Sequence, residues 1–146
     1  MKVFISHKNV DSQQALMLKS AFEKEGVFTY LDVLDNSING GGKSLTEHIK
    51  GQLNNCTDII VLMSETTKYS WWVPFEIGMS AQIDMPTASF LKEDVDLPSY
   101  LSYWPRLKTT RDVATYQFVQ TYLFQKEPTM NTLLFRTLKR LYPCNY

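Results

Sequence analysis

A carboxylic acid among apolar and aromatic residues is the feature of this sequence most suggestive of chemistry. Glu76 is the only charged residue in the segment WWVPFEIGMSAQI at positions 71–83. Trp72 precedes it by four positions, so the two side chains share one face if the segment is a helix. A carboxylate in such surroundings is costly to bury unless it has a partner or a function. Two other interpretations stay open: an exposed first-turn acid favoured by the helix dipole, and tryptophans that belong to the core.

A second group of polar residues directly follows the first apolar segment. Residues 3–5 (Val-Phe-Ile) predict a buried strand, and Ser6, His7 and Lys8 come straight after it. In a parallel α/β sheet, ligands bind at the carboxyl ends of the strands. These three side chains are therefore predicted to lie at the end of the sheet where ligands can bind. The equally open alternative is that they form a solvated turn without a ligand.

Histidines and cysteines are too few and too scattered to predict metal or triad chemistry. His7 and His48 are the only histidines and belong to different predicted elements. Neither has a further ligand or a nucleophile at a telling spacing. Cys56 and Cys144 are far apart and form neither a disulfide framework nor a zinc site.

A run of glycines before Lys43 and Ser44 invites comparison with a phosphate-binding loop. A Walker loop requires a further glycine five residues before Gly42, and Ser37 stands there. No G-x-G-x-x-G motif occurs in the sequence either. We therefore interpret the run as part of a surface loop and expect no nucleotide binding of the Walker or Rossmann kind.

Length and charge limit the number of domains and the kinds of partner that this protein can have. The 146 residues fit one domain, 1–146. Lys plus Arg and Asp plus Glu both number 15, so the net charge is zero and a nucleic-acid partner is not expected. No apolar stretch is long enough for a signal peptide or a membrane span. With two isolated cysteines, the expected location is cytoplasmic and away from membranes.

Strand and helix patterns alternate along the chain. Segments rich in β-branched and aromatic residues predict strands, and the apolar run at the third of them suggests burial on both faces. The chain is therefore predicted to be an α/β domain with a central parallel sheet of about five strands flanked by helices on both faces. The strand segments are 3–5, 27–31, 58–63 and, more weakly, 87–91.

Capping residues mark the predicted helix ends. Asp11 with Gln14, and Ser44 with Glu47, match the spacing of a capping box at a helix start. Gly26 stands where a C-terminal cap belongs. Further along the chain, helices are predicted over 70–83, 112–123 and 129–141.

Taken in order, several segments resemble the Toll/interleukin-1 receptor (TIR) domain family. The first strand and its loop read VFISH, the third strand reads IIVLMS, and the next segment carries a W-x-x-x-E pattern at Trp72 and Glu76. The second strand ends in an acid, Asp32, and a glycine-rich stretch at 35–43 falls where the family has its variable BB loop. The resemblance covers roughly residues 1–92. It implies a flavodoxin-like TIR fold.

The resemblance also implies an activity. In the NAD-cleaving branch of the family, the glutamate of the W-x-x-x-E pattern is the catalytic residue, which here is Glu76. The expected reaction cleaves the nicotinamide–ribose bond and gives nicotinamide with ADP-ribose or a cyclic ADP-ribose isomer. NAD+ is then the substrate, and no cofactor and no metal are expected. The expected substrate-binding residues are Ser6, His7, Lys8, Asp32 and Trp72.

Partners are implied in the same way. The chain begins almost at its first strand. In this respect it resembles the stand-alone TIR proteins of bacterial anti-phage systems. Those proteins make nucleotide signals for a separate effector. The resemblance implies a homo-oligomer formed through TIR–TIR contacts and a downstream effector that responds to the product.

Two other functions stay open on the sequence. A TIR fold that only self-associates needs an interface, for which Tyr100, Tyr103 and Trp104 are candidates unless they pack in the core. A nucleoside 2-deoxyribosyltransferase-like enzyme has a related sheet, also uses a glutamate and resembles the segment EIGMSA at 76–81. Turnover of deoxynucleosides in place of NAD+ would favour the latter.

Overall fold

Parallel strands form the centre of the protein, as the sequence predicts. The computed structural model describes residues 1–31, 41–91, 95–102 and 104–126. The strands within these ranges are β1 (Lys2–Ser6), β2 (Phe28–Leu31), β3 (Asp58–Leu62), β4 (Thr87–Phe90) and β5 (Arg106–Leu107). They form one five-stranded sheet in the order β2-β1-β3-β4-β5, and every pair is parallel. This is the strand order of flavodoxin-like proteins.

Helices cover both faces of the sheet, which confirms the prediction. Leu18 and Tyr116 pack on one face with Ile5, whereas Ile49 and Ile77 pack on the other with Phe4. Phe4 and Ile5 separate in this way because successive strand residues point to opposite faces. Along the described part of the chain the helices are α1 (Ser12–Lys24), α2 (Gly41–Asn54), α3 (Trp72–Gln82) and α4 (Asp112–Lys126). Thus α1 and α4 share one face, and α2 and α3 share the other.

The central strand β3 is buried along its whole length. All five of its residues are buried, and β1 and β4 pair with it on either side. A strand that is covered by helices on both faces needs a continuous apolar run rather than an alternating one. The prediction from the run at 58–63 is therefore confirmed.

Gly26 ends α1, as predicted, because the chain there needs a left-handed backbone. Its φ is 73°. The N–H of Gly26 donates to the carbonyl of Glu23, and the N–H of Val27 donates to the carbonyl of Phe22, both at 3.0 Å. This pair of bonds is the Schellman arrangement, in which glycine avoids the penalty that a side chain imposes at positive φ.

The predicted capping role of Asp11 is wrong. Asp11 precedes the first residue of α1, but its side chain makes no capping hydrogen bond. Its carboxylate instead accepts hydrogen bonds from Ser64 and Thr67 in the connection that follows β3. Asp11 therefore binds residues distant in sequence instead of the backbone N–H of α1 that its spacing from Gln14 suggests.

The second predicted capping box is also wrong. α2 begins at Gly41, so Ser44 and Glu47 lie inside the helix rather than at its start. Helical geometry is already present there, since the Thr46 hydroxyl donates to the carbonyl of Gly42, four residues back, at 2.7 Å. The spacing of two polar residues was therefore not sufficient to place this helix start.

Strand β5 is the element that sequence patterns missed. It has two residues, Arg106 and Leu107, which is too short for a pattern of alternation. It lies against β4, where the N–H of Leu91 donates to the carbonyl of Leu107 at 2.9 Å. The predicted helix 129–141, Tyr103, Asp32 and the glycine-rich loop up to position 40 lie outside the described residues.

Within the described ranges, no helix combines the length and the apolar character needed to cross a bilayer.

Candidate functional site

Ser6 and Glu76 meet at the carboxyl end of the sheet. Ser6 is the last residue of β1, and Glu76 lies in α3, one turn after its start. The Ser6 hydroxyl donates a hydrogen bond to Oε2 of Glu76 across 70 residues of sequence. Both are buried, with 0% of Ser6 and 1% of Glu76 exposed. The interpretation of Glu76 as an exposed first-turn acid is therefore wrong.

The start of α3 determines where Glu76 lies. The Ser70 hydroxyl accepts hydrogen bonds from the backbone N–H groups of Trp72 and Val73, at 3.3 and 3.4 Å. Such bonds satisfy donors that a helix N-terminus leaves without partners. Val73 and Ile77 anchor the inner face of α3 in the core. Glu76 is adjacent to this apolar face, which explains how the helix buries a carboxyl group.

His7 follows Ser6 in sequence and is also buried. Only 3% of it is exposed, and its Nε2 lies 3.3 Å from the Ser12 hydroxyl. Ser12 donates its single hydrogen to the carbonyl of Asn9 at 2.7 Å. Because this hydrogen is engaged by Asn9, the Ser12 oxygen can accept a hydrogen bond from Nε2 of His7.

Lys8 follows at the rim of the same edge. It is half-buried, in an extended backbone conformation, and it precedes the 3-10 turn Asn9–Asp11. A lysine at this position presents a compact, hydrated charge, unlike the flat fork of an arginine. It is the basic residue nearest in sequence to the Ser6–Glu76 pair.

The two neighbouring tryptophans have different surroundings. Trp72 is half-buried, packs against the core and meets Phe75 edge-on, with 5.8 Å between ring centroids. Trp71 is 90% exposed. Only Trp72 therefore belongs to the packed part of the protein, and the exposure of Trp71 contradicts the interpretation that both tryptophans are core residues.

Of the other sequence candidates, some fall outside the site. Asp32 lies outside the described residues. Tyr100 is 37% exposed, and Trp104 packs partly buried against the core cluster on the α2–α3 face. Within the described ranges, no three His, Cys, Asp or Glu side chains are grouped closely enough to hold a metal ion.

Sequence reasoning missed the polar cluster behind the site. The Asp11 carboxylate, the Ser64 hydroxyl and the Thr67 hydroxyl are joined by hydrogen bonds. They lie between the turn after β1 and the turn after β3. No local pattern connects residues 53 and 56 positions apart, so nothing in the sequence could have indicated this cluster.

Comparisons with known proteins relate the chain to a protein family and to a curated relative. The family model described as the TIR-like domain of the Thoeris protein ThsB matches residues 4–89. The chain is also 27% identical over 79 residues to the probable 3′ cyclic ADP-D-ribose synthase ThsB′ of Bacillus cereus strain MSX-D12. That alignment covers 52% of this chain and 41% of the relative, so the chain matches about two fifths of the relative's length.

Among solved structures, the fold resembles a 2-deoxyribosyltransferase from Bacillus psychrosaccharolyticus. The TM-score is 0.63 at 13% identity, over 82% of this chain and 95% of that one. A looser superposition relates the chain to the TIR domains of the activated Roq1 resistosome, with a TM-score of 0.47 and 16% identity over 99% of this chain and 84% of the other. At such identity the first likeness shows a shared fold and no shared activity.

Proposed function

Because the chain belongs to the family of the TIR-like domain of the Thoeris protein ThsB, we propose that it cleaves NAD+ between nicotinamide and ribose. The observation that carries the proposal is the buried Glu76 carboxyl group, bound by Ser6 at the carboxyl end of the sheet. The matched relative named a probable 3′ cyclic ADP-D-ribose synthase supports NAD+ as the substrate class.

A carboxylate at this position suits the proposed reaction. Nicotinamide leaves as a neutral base, so no general acid is needed to expel it. The ribose that remains resembles an oxocarbenium ion, and a nearby carboxylate stabilises such a cation. Burial strengthens this attraction because little water screens it. In the proposed mechanism Glu76 is therefore the catalytic residue, and the Ser6 hydroxyl holds its carboxylate in place.

The other residues are proposed to bind the substrate. Lys8 lies at the rim, where its ammonium group would face the diphosphate, and Trp72 would form a wall beside the nicotinamide riboside. His7 would line the pocket next to Ser6. Asp32, the next residue in the sequence after β2, keeps the substrate-binding role that the family resemblance implies. What then captures the ribose decides the product: water gives ADP-ribose, and an internal nucleophile gives a cyclic isomer.

Access to Glu76 connects the reaction with assembly. Because only 1% of Glu76 is exposed, side chains around it must move apart before a ribose can reach its carboxylate. We propose that association of copies through TIR–TIR contacts favours that opened state. The same hypothesis includes a cytoplasmic location and an anti-phage role in which the product acts on a separate effector.

The test is chromatography with mass detection of NAD+ incubated with concentrated protein. Nicotinamide release by the wild type, absent in Glu76→Ala, would support the proposal, and the mass and retention of the co-product would identify it. A rate per molecule that rises with protein concentration would support association. A parallel incubation with deoxynucleosides and a free base tests the transferase alternative.

Either of two results would overturn the proposal. Transfer of deoxyribose without NAD+ cleavage would favour the transferase. Intact NAD+ in samples that light scattering shows to be associated would favour a scaffold that only assembles.

A further inference from the structure

Asp11 is a buried acid that the proposed reaction does not use. It ends the 3-10 turn Asn9–Asp11 between β1 and α1, and it is 7% exposed. Its Oδ2 accepts a hydrogen bond from Ser64 Oγ at 2.7 Å and a second from the Thr67 hydroxyl. Both donors belong to the connection between β3 and α3. One carboxylate oxygen thus joins two connections that leave neighbouring strands.

The two donors hold their own turn as well. The Ser64 oxygen accepts hydrogen bonds from the backbone N–H groups of Thr66 and Thr67, at 3.3 and 3.1 Å. Its hydrogen goes to Asp11, so each polar atom of this hydroxyl has a partner. Thr67 is 1% exposed and therefore depends on protein partners rather than on water. The Asp11 carboxylate thus accepts hydrogen bonds from both hydroxyls that hold the turn at 64–67.

The two connections carry the two halves of the candidate site. The turn after β1 carries Ser6, His7 and Lys8. The turn after β3 leads through Ser70 into α3 and Glu76. A shift of one connection relative to the other would separate the Ser6 hydroxyl from the Glu76 carboxylate. Their hydrogen bond therefore depends on what holds the connections together.

We propose that Asp11 is a positioning residue for Glu76. By joining the connections after β1 and β3, its carboxylate keeps Glu76 against Ser6 in the orientation that faces the ribose. The catalytic part of this inference rests on the proposed function, whereas the positional part does not. A carboxylate suits the role because hydrogen bonds to a charged acceptor are stronger than those to a neutral one.

The first test is steady-state kinetics of nicotinamide release. Asp11→Ala is expected to lower kcat about tenfold to a hundredfold, the loss that follows small misplacements of a catalytic group, with little change in KM. Asp11→Asn keeps one acceptor oxygen, so its kcat should fall less than that of Asp11→Ala. Thr67→Val removes only one of the two donors, so its kcat should also fall less than that of Asp11→Ala. Asp112→Ala is the matched control, because its carboxylate also holds a turn, through the N–H groups of Lys108 and Thr109 at 2.8 Å.

A further control separates positioning from lost stability. Val113 is fully buried on the α1–α4 face, so Val113→Ala lowers stability away from the site. It should keep the wild-type kcat while the protein is folded at the assay temperature. If folded Asp11→Ala loses no more kcat than Val113→Ala, the proposal is overturned.

The second test does not depend on NAD+ cleavage. The 13C resonance of the Glu76 carboxyl carbon, assigned by its loss in Glu76→Gln, reports the surroundings of that group. Asp11→Ala should move it toward the position found in Ser6→Ala, and Asp112→Ala should leave it in place. An unmoved resonance in Asp11→Ala overturns the proposal. A moved resonance in a protein whose wild type leaves NAD+ intact supports the positional role and contradicts the proposed function alone.

Discussion

Two carboxyl groups are buried at opposite ends of the same sheet. Glu76 lies at the carboxyl end, bound by Ser6, and Asp58 begins β3 at the amino end. Each is 1% exposed. Asp58 accepts hydrogen bonds from the Thr57 hydroxyl at 2.5 Å and from the Tyr116 hydroxyl at 3.0 Å. The two carboxyl groups are therefore alike in two respects: both are buried, and both accept hydrogen bonds from hydroxyl groups.

What differs is where their partners come from. Tyr116 reaches Asp58 from α4, and Gln120 of the same helix donates to the Tyr116 hydroxyl at 3.0 Å. This chain of bonds connects β3 to a helix within the core. Glu76 instead lies where the connections after β1 and β3 converge, at the edge of the sheet where α/β proteins bind ligands. Burial alone therefore does not distinguish the two carboxyl groups, whereas their positions at the two ends of the sheet do.

The largest effect expected on the Asp58 side is a dependence of stability on pH. Burial raises the pKa of Asp58 from 3.8 to about 6, although the hydrogen bonds from Thr57 and Tyr116 oppose the shift. The folded protein thus holds this proton more tightly than the unfolded chain does. The contribution is fully present below about pH 4 and is lost as the pH rises through about 6, for a total of about 3 kcal/mol in the free energy of unfolding.

Urea unfolding of the wild type and of Asp58→Asn between pH 4 and 7.5 measures this term. The free energy of unfolding of the wild type should fall with rising pH relative to that of the variant, since other groups titrate alike in both. Parallel pH profiles would show that Asp58 has an ordinary pKa in the folded protein.

The next effect is a loss of stability in Tyr116→Phe. Burial and the Asp58 carboxylate raise the pKa of the Tyr116 phenol well above its usual value, so the hydroxyl keeps its proton and donates a hydrogen bond to Asp58. Its removal should lower the free energy of unfolding by about 2 kcal/mol, because a buried acceptor loses a partner. Tyr100→Phe, at a partly exposed tyrosine, is the control. The rate of nicotinamide release should be unchanged in both variants. A lower rate in Tyr116→Phe alone would show that the Asp58 end of the sheet also affects the reaction.

A smaller effect is expected from Ser6→Ala. Loss of the hydrogen bond to the Glu76 carboxylate should lower the rate of nicotinamide release about tenfold. Ser80→Ala is the matched control: Ser80 is equally buried in α3, but its hydroxyl donates to the carbonyl of Ile77 within the helix, at 2.9 Å. Equal rates in the two variants would mean that the Ser6 hydroxyl has no role in the reaction.

The smallest effect separates the two tryptophans. Trp72→Phe should raise KM for NAD+ about threefold, since the edge-on contact with Phe75 and part of the pocket wall are lost. Trp71→Phe should leave KM unchanged, because Trp71 is almost fully exposed. Equal changes in both variants would contradict the placement of Trp72 beside the substrate.

Much of the fold could be predicted because its signals are local. The apolar run of β3 and the glycine that ends α1 each reflect a rule that acts within a few residues. β5 escaped because two residues carry no period. The start of α2 was misplaced because Ser44 and Glu47 have capping spacing inside a helix that begins earlier.

The candidate site was predictable only in part. The rule that ligands bind at the carboxyl ends of parallel strands placed Ser6, His7 and Lys8 correctly at the sheet edge. The W-x-x-x-E resemblance indicated Glu76 as the candidate catalytic residue. The hydrogen bonds that Asp11 accepts from the turn after β3 could not be foreseen, because the spacing of Asp11 and Gln14 predicts a local cap and the true donors are 53 and 56 residues away.

The most direct test of the difference between the two carboxyl groups is nicotinamide release from NAD+ by Glu76→Gln and Asp58→Asn in one assay with the wild type. Glu76→Gln should lower the rate by about a hundredfold to a thousandfold, the range seen when one stabilising group is removed from a transition state, and should keep its urea midpoint. Asp58→Asn should keep the wild-type rate. Substantial activity in folded Glu76→Gln, or an equal loss in Asp58→Asn, would contradict a catalytic role that belongs to Glu76 alone.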